Sequence, residues 1–230
     1  MPVIELVTSS GLGSLLGMRH ALEPDHLAAV STLVTGERSS TKAAMLGVCW
    51  GLGHTVSLVI VGTALVLLRA EMPARIADLF ELGVAVMLIA LGLRAIYLAA
   101  RHGPTGPVHA HQHGGRLHVH SGAPAHIHIG TWTLARRPLL VGAVHGLAGS
   151  GALTALVLAT LPTATARLIY MGVFGLGSTL GMAALSGLLG WPLARMGRHR
   201  GLARAMSLLV GCVSTILGIA WGYPLLARVF

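Results

Sequence analysis

Residues 43–69 read Ala43-Ala44-Met45-Leu46-Gly47-Val48-Cys49-Trp50-Gly51-Leu52-Gly53-His54-Thr55-Val56-Ser57-Leu58-Val59-Ile60-Val61-Gly62-Thr63-Ala64-Leu65-Val66-Leu67-Leu68-Arg69. No Asp, Glu, Lys or Arg interrupts the run before Arg69. About 20 such residues cross the hydrocarbon of a bilayer as one helix. Barrel strands alternate apolar and polar side chains at period two, and this run does not. Its glycines and alanines suit helices that approach one another closely in lipid. The stretch predicts a membrane-spanning helix with a histidine at its middle.

Five further apolar segments flank it, at 5–34, 77–100, 138–161, 165–189 and 203–226. The first is too long for one straight span and contains Pro24, so a break is expected there. Across all 230 residues, 54% are hydrophobic and only 10% charged. Soluble domains carry roughly a quarter charged residues. That balance excludes a soluble enzyme and a disordered chain. The expected fold is an all-α integral membrane protein, a single membrane domain over 1–230 with six transmembrane helices. The N-terminus has no basic stretch or cleavage site of a signal peptide, so the first segment is expected to stay. Cys49 and Cys212 lie inside apolar runs and read as buried apolar residues, not as a disulfide.

The +9 net charge sits in the gaps between apolar runs and forms no stripe for nucleic acid. The links 35–42, 101–137 and 190–204 hold Arg38, Lys42, Arg101, Arg116, Arg136, Arg137, Arg195, Arg198, Arg200 and Arg204. The opposite side holds Arg69, Arg75, Arg167 and Arg228, while Arg19 and Arg94 fall within spans. Cytoplasmic loops are the lysine- and arginine-rich ones. Ten against four predicts a multi-pass protein of the cytoplasmic (inner) membrane, both termini outside and residues 101–137 cytoplasmic.

The chain also repeats itself. Gly17 through Leu22 aligns with Gly142 through Leu147, Gly51 through Thr55 with Gly175 through Thr179, and Leu91 through Tyr97 with Leu217 through Tyr223. The offsets are 125, 124 and 126. Each half holds three spans, 5–34, 43–69 and 77–100 against 138–161, 165–189 and 203–226. An odd number forces the halves to insert in opposite senses. Such inverted repeats are typical of secondary transporters, whose substrate sites lie near the midplane at broken helices.

Ionisable groups at that depth are costly and mark function. The densest cluster is Arg19-His20-Ala21-Leu22-Glu23-Pro24-Asp25-His26. On a continuous helix His20, Asp25 and His26 point three ways. Pro24 lacks an N–H and disfavours helix at Glu23, so local unwinding can turn them toward one point. Imidazoles with one carboxylate suit nickel, cobalt or zinc. The expected metal ligands are His20, Asp25, His26 and His54. His145, the counterpart of His20, is a candidate for the metal path. Ser178, the counterpart of His54, is another, as is Glu23, which is expected to orient His26 or meet Arg19. The competing reading is a set of helix caps and core histidines bonded to backbone carbonyls.

The link 101–137 is histidine-rich. His102, His109, His111, His113, His118, His120, His126 and His128 alternate with Gly, Ala and Pro. Such a tract cannot form a packed core, and is expected to be without regular structure and to buffer metal at the cytoplasmic face.

The run from Arg19 to His26 resembles the signature of the nickel/cobalt transporter family, as does Leu52-Gly53-His54-Thr55. His145-Gly146-Leu147-Ala148-Gly149-Ser150-Gly151 resembles the short six-span branch that includes urease-accessory, nickel permease-like membrane proteins. The resemblance implies that His20, Asp25, His26 and His54 bind a transported Ni²⁺ or Co²⁺, with no organic cofactor and no enzyme activity. Uptake is the expected direction, with efflux as the alternative because efflux members have a similar histidine-rich cytoplasmic segment, and a cytoplasmic metallochaperone is the kind of partner expected. The chain lacks the extra leading helix and the later acidic motifs of eight-span members. Two other classes compete. An intramembrane serine protease would use Ser150 in Gly149-Ser150-Gly151 but has no histidine in 203–226. A metal sensor or store would rely on the histidine tract.

Overall fold

The computed structural model describes residues 3–35, 37, 39–101, 108–113, 116–121, 126–129, 132–161, 163–196 and 200–230. Helix α1 (Val3–His20) and helix α2 (Pro24–Val34) share the first apolar segment. They are followed by α3 (Ser40–Leu68), α4 (Ala74–Arg101), α5 (Arg136–Thr160), α6 (Ala164–Met196) and α7 (Arg200–Val229). Among the described residues, Ser40–Leu68, Ala74–Arg101, Ala164–Leu193 and Gly201–Val229 are long and apolar enough to cross a membrane. The protein is therefore a multi-pass membrane protein with an all-helical membrane body.

The break between α1 and α2 follows from local chemistry. Glu23, before the proline, is extended at φ −63° and ψ 148°, as the steric demand of a following proline requires. Pro24 then opens α2 at its first position, where its fixed φ fits and its missing N–H costs nothing. The last turn of α1 closes through Leu22 N–H to the Arg19 carbonyl and Glu23 N–H to the His20 carbonyl. Asp25 falls in the first turn of α2, where the helix dipole favours a negative charge.

Outward faces are apolar. Leu67, Leu188 and Ile216 are 70%, 72% and 65% exposed, an arrangement suited to lipid and not to water. Two arginines flank this surface beside aromatic rings, Arg195 over Trp191 and Arg101 over Tyr97. Aromatic residues of this kind favour the membrane interface. Inside, α3 packs on α6 and α5, α4 on α7, and α1 on α6. Trp50, Ala29, Val30, Leu88 and Met182 form one buried cluster, and Leu58, Val157, Met171 and Phe174 another.

Glycine sets how near these helices come. A Cβ on Gly17 would overlap the Phe174 carbonyl, and one on Gly142 would overlap the Trp50 carbonyl. Gly53 meets the Leu139 carbonyl, and Gly177 the Ser14 carbonyl. Gly51 lies against Thr179, and Gly175 against Thr55. Where α3 crosses α6, Thr55 Oγ1 donates to the Gly175 carbonyl at 2.8 Å and lies 3.0 Å from Thr179 Oγ1.

The histidine-rich link differs from its expected lack of regular structure. Its backbone forms two antiparallel hairpins, β1 (Val108–His113) with β2 (Arg116–Ser121) and β3 (His126–Ile129) with β4 (Trp132–Ala135). Here histidine alternates at period two with Ala, Val or Ile, the strand period that the tract's polar composition obscured. The register sets His109 opposite His120 and His111 opposite His118. His102 and the side chains of the other tract histidines lie outside the described residues, as does the Ser150 side chain.

Candidate metal centre

Three elements converge on the gap after His20. His20 ends α1, His26 lies in the first turn of α2, and His54 is the central residue of α3. At 1.5 Å per residue, His54 is roughly 20 Å from either end of its helix. The His20 ring centroid lies 4.5 Å from that of His26 and 5.2 Å from that of His54. His26 and His54 are 5.6 Å apart. One nitrogen from each of the three comes within 4.8 Å of the other two. His26 and His54 are 1% and 0% exposed.

The hydrogen bonds decide which nitrogens are free. His20 Nδ1 lies 2.9 Å from Glu23 Oε1, and His26 Nδ1 lies 3.0 Å from Asp25 Oδ1. An ionised carboxylate only accepts, so each Nδ1 carries the hydrogen and each Nε2 presents its lone pair. His20 Nε2, His26 Nε2 and both nitrogens of His54 are buried without a partner among the described residues. Leaving a buried nitrogen unpaired costs about 1–3 kcal/mol. Four such atoms in one cluster match a site that takes a cation. A carboxylate behind a ligating imidazole is also the usual support of a metal-bound histidine.

This geometry refines the expected roles. Asp25, expected among the ligands, has both oxygens engaged by imidazoles, Oδ1 by His26 and Oδ2 by His145 Nε2 at 3.2 Å. Glu23 meets His20, not His26 or Arg19. His145, on α5, joins the centre with its ring 4.4 Å from that of His26. The Ser178 hydroxyl is buried without a hydrogen-bond partner among the described residues. The residue is fully buried on α6, its backbone against Gly17.

Three residues contribute that motif reading passed over. Trp50 walls the centre, 5.4 Å from the His26 ring and 5.7 Å from that of His145. Phe174 lies 5.5 Å from His20. These two aromatics are 124 positions apart, the offset of the repeat, and that was the available signal. Gly149 faces the triad from α5. A Cβ there would stand 3.7 Å from His20 Nε2 and 3.7 Å from His54 Cε1, so its lack of a side chain keeps space beside the nitrogens.

Buried imidazoles gathered at a broken helix of a multi-pass membrane protein have the donor chemistry of a site for a transition-metal ion. The chain matches the NicO family, described as high-affinity nickel-transport protein, over residues 6–195, and it belongs to that family. It is 33% identical over 225 residues to the urease accessory protein UreH of Bacillus sp. (strain TB-90), covering 98% of this chain and 95% of that one. It is 29% identical over 189 residues to the chloroplast protein FOR GROWTH AND FERTILITY 1 of Arabidopsis thaliana, covering 80% of this chain and 50% of that protein. No solved structure matches. Membership places the chain among nickel transporters and not among enzymes, and the protease alternative falls with it.

Proposed function

We propose that the protein takes up nickel, and also cobalt, across the cytoplasmic membrane, with the ion held at the α1–α2 break by His20, His26 and His54. The observation that carries this is the set of buried, unpartnered imidazole nitrogens at mid-span in a nickel-transport family. Neutral imidazoles suit nickel and cobalt better than hard ions such as magnesium. Asp25 and Glu23 hold two of the rings in the ligating tautomer and supply the negative charge that a divalent ion needs in a medium of low dielectric.

The transmembrane arrangement in this reading is six spans, α1 and α5 joining the four long helices, in two inverted halves. Reciprocal contacts support it. Gly17 meets Phe174 as Gly142 meets Trp50, and Gly51 meets Thr179 as Gly175 meets Thr55. Each pair exchanges under an offset of 124 or 125, as contacts across a twofold axis must. The excess of basic residues sets the link 101–137 in the cytoplasm and both termini outside. There the histidine tract, with His109, His111, His113, His118, His120, His126 and His128, buffers arriving metal and passes it to a metallochaperone. The relative named as a urease accessory protein supports uptake for a nickel enzyme.

Nickel accumulation in cells making the parent or the His20→Ala, Asp25→Ala double variant tests the site. The double variant is expected to lose accumulation to background. Equal accumulation by both refutes the assignment.

A further inference from the structure

The centre contains a second donor group beside the first. Asp25, His26 and His145 also bring one donor atom each within 4.8 Å of one another. Two nitrogens about 2.1 Å from one divalent ion lie at most about 4.2 Å apart. Three donors around one ion lie about 3.6 Å apart or less, so closing onto an ion asks movement on the order of 1 Å from either group. His26 is common to both.

The two groups differ in which part of the chain they join. His20, His26 and His54 stand on α1, α2 and α3, all in the first half. Asp25 and His26 stand on α2, but His145 reaches in from α5, in the second half. An ion in the first group touches one half only. An ion in the second fastens α5 to the α1–α2 break.

We propose that Asp25, His26 and His145 form a second ion station bridging the two halves, which the ion enters from the first station through the shared His26. The proposal rests on the transport reading above. His145 is 2% exposed; its Nε2–H donates to Asp25 Oδ2 at 3.2 Å, a proton that an entering ion displaces, and its Nδ1 is buried without a partner among the described residues. Its aligned neighbours also point this way. Counterparts of Asp25, His26 and His54 in the second half are Ser150, Gly151 and Ser178. The second half keeps a single imidazole from the motif, and the structure directs it onto the first half's carboxylate. A shared ligand means the ion never gives up all its protein donors at once, which limits the desolvation cost of the step. As the halves rock, the first station travels intact with one half, while the second forms or breaks.

The test uses the full chain, in nanodiscs for binding and in liposomes for nickel flux. His145→Ala is expected to bind nickel within about threefold of the parent, since the first station is intact, and to lose flux by roughly tenfold or more. His54→Ala is expected to weaken binding by at least about 10–100-fold. In the His54→Ala background cobalt is left with the second station. Adding His145→Cys there is expected to produce a thiolate-to-cobalt charge-transfer band absent from His54→Ala alone. Parental flux in His145→Ala, or no new band in a folded, monodisperse His54→Ala/His145→Cys protein, overturns the second station. Parental binding and flux in both His20→Ala and His54→Ala instead overturns the first station and the reading beneath it.

Discussion

The segments His20–His26 and His145–Gly151 align at an offset of 125 and differ in what they bring to the centre. Both lie in apolar helices and both start with a histidine. In the first, a carboxylate and a second histidine follow at the fifth and sixth positions after His20; in the second, those positions are Ser150 and Gly151. The first is split by Pro24, so His20 and His26 stand on separate helices whose rings meet at 4.5 Å. The second lies within the continuous helix α5 and brings only His145 to the centre. Residues six apart on a continuous helix point to different sides, and the break at Pro24 lets His20 and His26 meet. One half thus brings three of the four clustered imidazoles, and the other brings the fourth, His145.

Gly149 faces His20 and His54 from α5, and filling it should have the largest effect. An alanine Cβ fits at ordinary contact distance from His20 and His54. The branched side chain of Gly149→Val enters the space beside the nitrogens. Nickel binding is expected to fall by roughly tenfold or more, because a small displacement at a preorganised site is expensive, while Gly149→Ala stays near the parent. Titration of the two purified variants with nickel checks this. Equal binding by Gly149→Val and the parent would show that the ion does not sit between α5 and the triad.

Much of this was legible beforehand because the determining features are local. Apolar runs mark spans, and proline before an acidic residue marks the break. The pairing of Asp25 with both His26 and His145 was not, because it depends on where α5 meets α2, 120 residues away in sequence. Glu23 was misdirected for a related reason. Counting along one helix brings it near Arg19, but the turn at 21–23 folds it back onto the His20 ring. The link was misjudged because composition outweighed alternation. Gly, Pro and His frequencies argue against structure, whereas the strand period is carried by single intervening residues.

Away from the metal centre, the two halves meet at a crossing that they do not share evenly. Thr55 and Thr179 face each other at the α3–α6 crossing, 3.0 Å apart, each beside a glycine of the other helix. Thr55→Val removes both the bond to the Gly175 carbonyl and the bond to Thr179, and Thr179→Val removes only the second, so they should destabilise by about 1.2 and about 0.6 kcal/mol, at the usual scale of a hydrogen bond between membrane helices. Reversible unfolding in mild detergent measures both. Equal losses would mean that the bond from Thr55 to the Gly175 carbonyl adds nothing to stability.

The smallest effect is expected at Ser178, the counterpart of His54. Its hydroxyl is fully buried and without a hydrogen-bond partner among the described residues. Truncating His54 removes a donor from the first station, but truncating Ser178 removes only an oxygen that binds nothing. Burying an unpaired hydroxyl costs about 1–3 kcal/mol, so Ser178→Ala should leave stability unchanged or slightly raised. Its nickel flux should stay within about twofold of the parent, since one idle hydroxyl carries little coupling. A clear loss of flux in Ser178→Ala, with folding retained, would place the hydroxyl on the ion's path. The second half would then contribute through its His54 counterpart as well as through His145, and the division of labour between the halves would be less complete than the donor geometry implies.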